Sequence, residues 1–131
     1  MSTPEVRVVL AWHEALNAGD AERLAALSHP EVELGGPRGS ARGRRVLEDW
    51  VGRANVRLEP LRSFQNGRTV VVEEAATWHD ARTGETTGEA TVATVFALDG
   101  GLLVAGIIRH DGLEDALRSA GLDGSDEIQP E

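Results

Sequence analysis

The chain has 131 residues, 40% apolar and 27% charged, and contains no Cys, Tyr or Lys. At roughly 100–200 residues per domain this is a single domain with enough chain to bury a core, and the lack of Cys excludes a disulfide scaffold, a thiolate metal site and a Cys nucleophile. A formal net charge of −9 argues against a nucleic-acid or anionic-membrane partner, and the absence of an apolar run near ~20 residues or of a charged-then-apolar leader predicts a cytoplasmic protein.

The first predicted element is a helix. Thr3 is placed to cap its N-terminus, Pro4 suits the first turn, Glu5 complements the dipole, and Gly19 is placed to close it. Between them Val6, Val9, Leu10, His13 and Leu16 fall on one helical face. Asp20 begins a shorter helix carrying Leu24 and Leu27, which Pro30 ends. A short strand over Val32 and Leu34 leads into the loop GGPRGSARG, and a third helix presents Val46, Leu47, Trp50 and Val51 on one side. Four strands follow at about 55–65, 68–79, 86–98 and 102–110, separated by Asn66-Gly67, the stretch Asp80 to Gly84, and Asp99-Gly100. A short helix at 112–120 ends before Gly121, and residues 121–131 read as a flexible tail. Residues 111–131 hold seven acids and one Arg, so most of the net charge lies there. The order gives an α+β fold with one domain over 1–120 and an acidic tail over 121–131.

Taking Asp99-Gly100 as a two-residue loop sets a register in which Phe96 faces Leu103, Thr94 faces Ala105, Val92 faces Ile107 and Ala90 faces Arg109. On the opposite face Ala97 meets Leu102, Val95 meets Val104, Ala93 meets Gly106 and Glu89 meets His110. Both faces are apolar at their centre, whereas an antiparallel sheet usually solvates one. The helices cover one face, and a homodimer through the sheet is expected to cover the other. A strongly coiled sheet that wraps part of its own second face is the alternative.

The run Trp12-His13-Glu14-Ala15-Leu16-Asn17-Ala18-Gly19-Asp20, then His29-Pro30-Glu31-Val32-Glu33, Gly39 to Arg44, and the hairpin from Phe96 to Leu103 resemble the SnoaL-like branch of the nuclear transport factor 2-like superfamily. The resemblance spans about residues 4–120. It implies three N-terminal helices folded over a curved, mainly antiparallel sheet, a cone enclosing an apolar pocket, and often a dimer. It is specific for fold and not for activity. In the related ketosteroid isomerase, a tyrosine donor falls where this chain has Trp12, the general base where it has Leu34 and Gly35, and a second acid where it has Val92. All three polar groups are replaced, so that proton abstraction is not expected here. Neither the Asp–Arg–Asp set of limonene epoxide hydrolase nor a polyketide cyclase's aspartate finds a counterpart.

The same alignment puts Arg109 on the pocket face of the last strand, where a guanidinium binds an anion or else forms a strand-end ion pair. Glu73 and Glu74 sit in an apolar strand, so one of them must point inward. Counting from Asn66-Gly67 places Glu73 opposite Pro60 and near Arg62, and Glu74 opposite Glu59, so Glu73 is the inward candidate, as a base or as an Arg62 partner. His13 reads as a core histidine or a catalytic one. His29 reads as a tether at the helix end, His110 as a cross-strand partner of Glu89, and His79 as exposed. Trp12, Val92, Thr94, Phe96, Leu103, Ala105 and Ile107 are the expected pocket lining, which suits an apolar or aromatic ligand and equally suits core packing. The loop GGPRGSARGRR lacks the endings of a phosphate-binding loop and reads as turn-making glycines with solvated arginines. No metal-ligand spacing appears, and no cofactor is expected. The resulting expectation is a small-molecule-binding protein for a hydrophobic ligand. It is either a cofactor-independent isomerase, dehydratase or cyclase in which Arg109, Glu73 and His13 act, or a non-catalytic dimeric ligand-binding or interaction domain.

Overall fold

A computed structural model describes residues 3–36 and 38–128. Helix α1 (Pro4–Ala18) begins and ends on the expected signals. The Thr3 hydroxyl accepts the Val6 N–H at 3.1 Å, and Gly19 closes the helix in the left-handed region at φ +70°, a conformation glycine adopts without a Cβ penalty. Asp20 caps α2 (Ala21–Leu27) by accepting the Arg23 N–H at 3.1 Å. Strand β1 (Ser28–Gly36) starts at once and is longer than expected, with Pro30 inside it. The glycine-rich segment folds back as β2 (Gly39–Arg42), antiparallel to β1. A Cβ at Gly35 would stand 2.5 Å from the Ser40 Cβ and 2.6 Å from the Gly39 carbonyl, so this close return requires glycine. Pro37 of that segment lies outside the described residues. Helix α3 (Arg44–Ala54) buries Leu47 and half-buries Val46, Trp50 and Val51.

Strands β3 (Val56–Asn66), β4 (Thr69–His79), β5 (Thr86–Leu98) and β6 (Val104–His110) form the expected meander, followed by α4 (Leu113–Ala120). With the two-residue β7 (Glu127–Ile128), the described strands form a seven-stranded sheet of order β2-β1-β6-β5-β4-β3-β7, antiparallel throughout except where β1 runs parallel to β6. Bulges interrupt β3 at Leu61 and the β5–β6 pairing at Ala105, and such insertions bend and twist a sheet locally. The architecture is therefore α+β, with four α-helices among the described residues and a curved open sheet.

The inner face of the sheet packs against α1, α2 and α3 through Val6, Val9, Trp12, Leu16, Leu24 and Leu47, which meet Val70, Val72, Phe96 and Ile107. Each such side chain contributes roughly 1.5–3 kcal/mol when fully buried, so this layer dominates the fold's stability. The outer face carries a second, smaller core of Phe64, Val71, Ala93, Ala116 and Leu122, with Leu113 and Leu117 against it. Helix α4 thus supplies part of the cover that the second apolar face needs.

Three expectations are corrected. First, the β5–β6 connection is wider than two residues. The Asp99 carboxylate accepts the N–H groups of Gly101 and Leu103, both at 2.9 Å, and Leu102 takes φ +63°. The loop therefore spans residues 99–103, and with Ala105 bulged the pairs become Leu98 with Val104, Phe96 with Ile107, Thr94 with Arg109 and Ala93 with His110. Second, the β3–β4 turn is centred on Gly67 and Arg68, because Asn66 pairs with Thr69. Third, residues 121–128, expected in a free acidic tail, join the body. Leu122 is buried, and Glu127 and Ile128 form β7 against β3. The remaining tail residues, 129–131, lie outside the described residues.

Arg62 grips Glu127 with both Nε and a terminal nitrogen at 3.1 Å, which lowers the Glu127 pKa chiefly through the hydrogen bond. A lowered carboxylate pKa stabilises the fold above the ordinary glutamate range, and that contribution is lost as pH falls through the folded-state value. Glu127→Gln is expected to lower the melting temperature slightly at neutral pH, with the difference vanishing under acid. Thermal melts of both proteins across pH check this.

Candidate functional site

Three side chains from three elements meet inside the inner core. Along β4 the inward positions are Val70, Val72, Glu74 and Ala76, so Glu74 is carried into an apolar layer by strand alternation alone. From α1, His13 approaches with Nε2 at 2.5 Å from Glu74 Oε2. From β5, the Thr94 hydroxyl donates to Glu74 Oε1 at 2.6 Å. Thr94 lies diagonally across from Glu74, since it pairs with Val72. All three are buried, at 1% exposure for His13, 0% for Glu74 and 3% for Thr94. Every oxygen of the carboxylate is thus satisfied, as a buried polar group requires.

The hydrogen bonds limit where the protons lie. His13 Nδ1 is 2.7 Å from the Val9 carbonyl, which only accepts, so Nδ1 carries a hydrogen. A contact of 2.5 Å between Nε2 and Oε2 then needs one proton between them. The pair is either an imidazole with a carboxylic acid or an imidazolium with a carboxylate, and both forms hold two protons on ring and carboxyl together.

Thr94 also forms part of the wall of a cavity of 810 Å³. Its apolar surfaces come from Trp12, Trp50, Val92, Phe96, Ile107 and the strand residues Val56, Leu58 and Trp78. Trp12 stacks on Trp50 with ring centres 6.4 Å apart and meets Phe96 edge-on at 5.3 Å. Its indole N–H is buried and has no acceptor among the described residues. Gly35, Gly36 and the β2 hairpin also line it, and the exposed Arg38, Arg109 and Asp111 bring charge to it. Arg109 is exposed, lies directly across from Thr94, and makes no ion pair among the described residues.

Of the residues expected to line a pocket, Trp12, Val92, Thr94, Phe96 and Ile107 stand around this cavity, and Arg109 lies beside it. Leu103 and Ala105 do not reach it, because one lies in the wider loop and the other in the bulge. Glu73 is also corrected. The Leu61 bulge and the later turn place Glu74, not Glu73, opposite Pro60, and Glu59 opposite Ala75. Glu73 is half-buried on the outer face, paired with Ala93 and Arg62. His13 is buried with both ring nitrogens in hydrogen bonds, and its carboxylate partner is Glu74, not Glu73. His110 faces Ala93 instead of Glu89, and its Nε2 has no partner among the described residues. The His29 ring accepts the Glu31 N–H at 3.0 Å, and His79 is half-buried. No group of three His, Asp or Glu able to hold a metal occurs among the described residues, and no helix there is long and apolar enough to cross a membrane.

A sheet folded under three helices around a cavity, with a buried acid–base pair behind its wall, defines a class of small α+β cavity proteins. The SnoaL-like domain model matches residues 9–106, and the chain belongs to that family. Solved structures agree. A protein assigned as a polyketide cyclase from Xanthomonas campestris is 20% identical, with 86% of this chain and 93% of that one covered at a TM-score of 0.71. The epoxide hydrolase/cyclase-like enzyme SalBIII, of pyran ring formation in salinomycin, is 18% identical over 85% and 92%, at 0.70. A protein assigned as a ketosteroid isomerase from Kribbella flavida is 17% identical over 84% and 78%, at 0.70. At these identities the likeness is one of fold. No curated protein matches the chain.

Removing one partner of a buried pair strands the other, at about 3–5 kcal/mol. His13→Leu and Glu74→Leu are each expected to destabilise by that order in urea unfolding. The double variant should lose clearly less than the two losses added together.

Proposed function

We propose that the chain binds a hydrophobic, planar small molecule in the 810 Å³ cavity and carries out cofactor-independent proton transfer on it, of the kind used in isomerisation, dehydration or cyclisation. The observation that carries this reading is the chain of hydrogen bonds from Thr94, on the cavity wall, through Glu74 to His13. A ligand C–H or O–H gives its proton to the Thr94 oxygen while the Thr94 hydrogen passes to Glu74 Oε1. The ligand is left as an enolate or alkoxide, Thr94 is unchanged, and the buried pair holds one proton more. The Arg109 guanidinium at the rim and the unpartnered Trp12 N–H are the groups available to an anion formed there. The stacked tryptophans offer flat apolar surface for the ligand's body.

The complete burial of His13 and Glu74 favours a second reading, in which the pair is structural and the cavity only binds. The two separate on one probe, 2-tetralone, whose α-hydrogens exchange with D₂O in a rate measured by NMR. The proton-transfer reading expects exchange faster than in buffer, with Thr94→Val lower by about 10²-fold and Thr94→Ser largely restored. Exchange equal in wild type and Thr94→Val leaves the non-catalytic reading. Binding itself is read with 1-anilinonaphthalene-8-sulfonate, an aromatic anion. Arg109→Gln is expected to weaken it by about 3- to 10-fold, and no change places the dye elsewhere.

The reading includes a homodimer through the part of the sheet's outer face that α4 leaves uncovered. Light scattering is expected to give twice the mass of one chain, and a monomer at micromolar concentration overturns this.

A further inference from the structure

Arg109 belongs to a row of residues that crosses four strands at one level of the sheet. Thr94 on β5 pairs with Arg109 on β6. On β1, Gly35 pairs with Ile108, which sets Gly36 beside Arg109, and Gly36 pairs with Gly39 on β2. Residues opposite one another in a sheet share a face, so the row reads hydroxyl, guanidinium, glycine, glycine, and all four residues line the cavity. A Cβ built on Gly36 has as its three nearest neighbours atoms of Arg109, with Nε at 3.9 Å, and one built on Gly39 meets nothing within 4 Å. The Arg109 side chain therefore leans toward β1, beside a shelf of bare backbone. Neither glycine offers a side chain to pair with the guanidinium, and Arg109 has no ion pair or hydrogen bond among the described residues. Arg38, in the turn between the two glycines, is exposed and equally unpaired among the described residues. With Asp111, these two arginines are the charged groups lining the cavity. Their sum is one positive charge, in a chain whose formal net charge is −9.

We infer that the ligand is an aryl carboxylic acid, its carboxylate laid on the glycine shelf and held by Arg109 and Arg38. This rests on the reading that the cavity binds a planar apolar molecule, and it adds a permanent charge to that molecule. A guanidinium presents a flat fork of N–H donors that matches the two oxygens of a carboxylate. The two glycines leave room for a flat group to approach that fork without displacing a side chain. Directly paired strand residues stand about 5 Å apart, so the charged group lies roughly one strand spacing or more from the Thr94 hydroxyl. The ring system between them meets Trp12, Trp50 and Phe96.

Isothermal titration with 2-naphthylacetic acid and 2-naphthylacetamide, which share a shape and differ by one charge, tests this. The acid is expected to bind more tightly than the amide by about fivefold or more at low salt. That preference should shrink between about 20 mM and about 500 mM salt. Arg109→Gln is expected to bring the two affinities within about twofold of each other while leaving the amide's own affinity unchanged, and Arg38→Gln to reduce the preference in part. Arg118→Gln, on α4 and outside the cavity lining, should keep it. Melting curves verify that each variant is folded. An amide that binds as tightly as the acid, or a preference that survives in Arg109→Gln or is lost in Arg118→Gln, overturns the inference and leaves the apolar-binding reading in place. If neither compound binds, the apolar-binding reading falls and the carboxylate falls with it.

Discussion

A carboxylate in the middle of an apolar strand is the constraint around which this fold is arranged. Glu74 sits between Val72 and Ala76 on the inner face, where an unpaired charge would cost several kcal/mol. It is tolerated because α1 delivers a histidine and β5 delivers a hydroxyl, one to each oxygen. That requirement ties helix to sheet at one register, since a shift of β4 by one residue would turn Glu74 outward and bring Glu73 in. Thr94 is both the second hydrogen-bond partner of a buried acid and part of a cavity wall, so a change there acts on packing and on the shape of the cavity together.

Much of the fold is legible in local signals. Thr3, Pro4, Gly19 and Asp20 mark two helices by side-chain chemistry that needs no tertiary information, and the strand boundaries fall close to the turn residues between them. What is not legible is register. Asn66-Gly67 and Asp99-Gly100 each read as a two-residue turn, yet the first turn sits one residue later. The second widens because Asp99 folds its carboxylate back onto the Gly101 and Leu103 amides. A bulge carries no composition of its own. Among the described residues Leu61, at 55% exposure, is the one large apolar side chain in the open, and this outward Leu beside Pro60 marks the place where the register shifts. The choice of Glu73 over Glu74 follows from that slip, whereas Val92, Thr94 and Phe96 share one face by the simple alternation of β5. His13 was visible on the α1 stripe, and its partner could not be, since the two are 61 residues apart.

The cavity divides its tasks by wall. Aromatic rings from α1, α3 and β5 present flat surface, while Gly35, Gly36 and the β2 hairpin present backbone. A wall of backbone has little side-chain shape to vary, and Gly35 in particular has no room for a Cβ. The side chains that shape the cavity are therefore those of Val46, Trp50 and Val56, and its charge comes from Arg38, Arg109 and Asp111.

The parallel pairing of β1 with β6 has a consequence for how the chain comes together. Leu34 lies beside Ile107, so the cavity is closed by joining an early segment to a late one, and the loop-closure entropy of that step must be met before the contacts reward it. On a ribosome, the three helices and the meander from β3 to β5 can pair in sequence as they emerge, burying Glu74 against His13 on the way. The cavity has no second wall until β6 has been made. For that interval the tryptophans face water, and the nascent chain is at its most adhesive just before β6 joins the sheet.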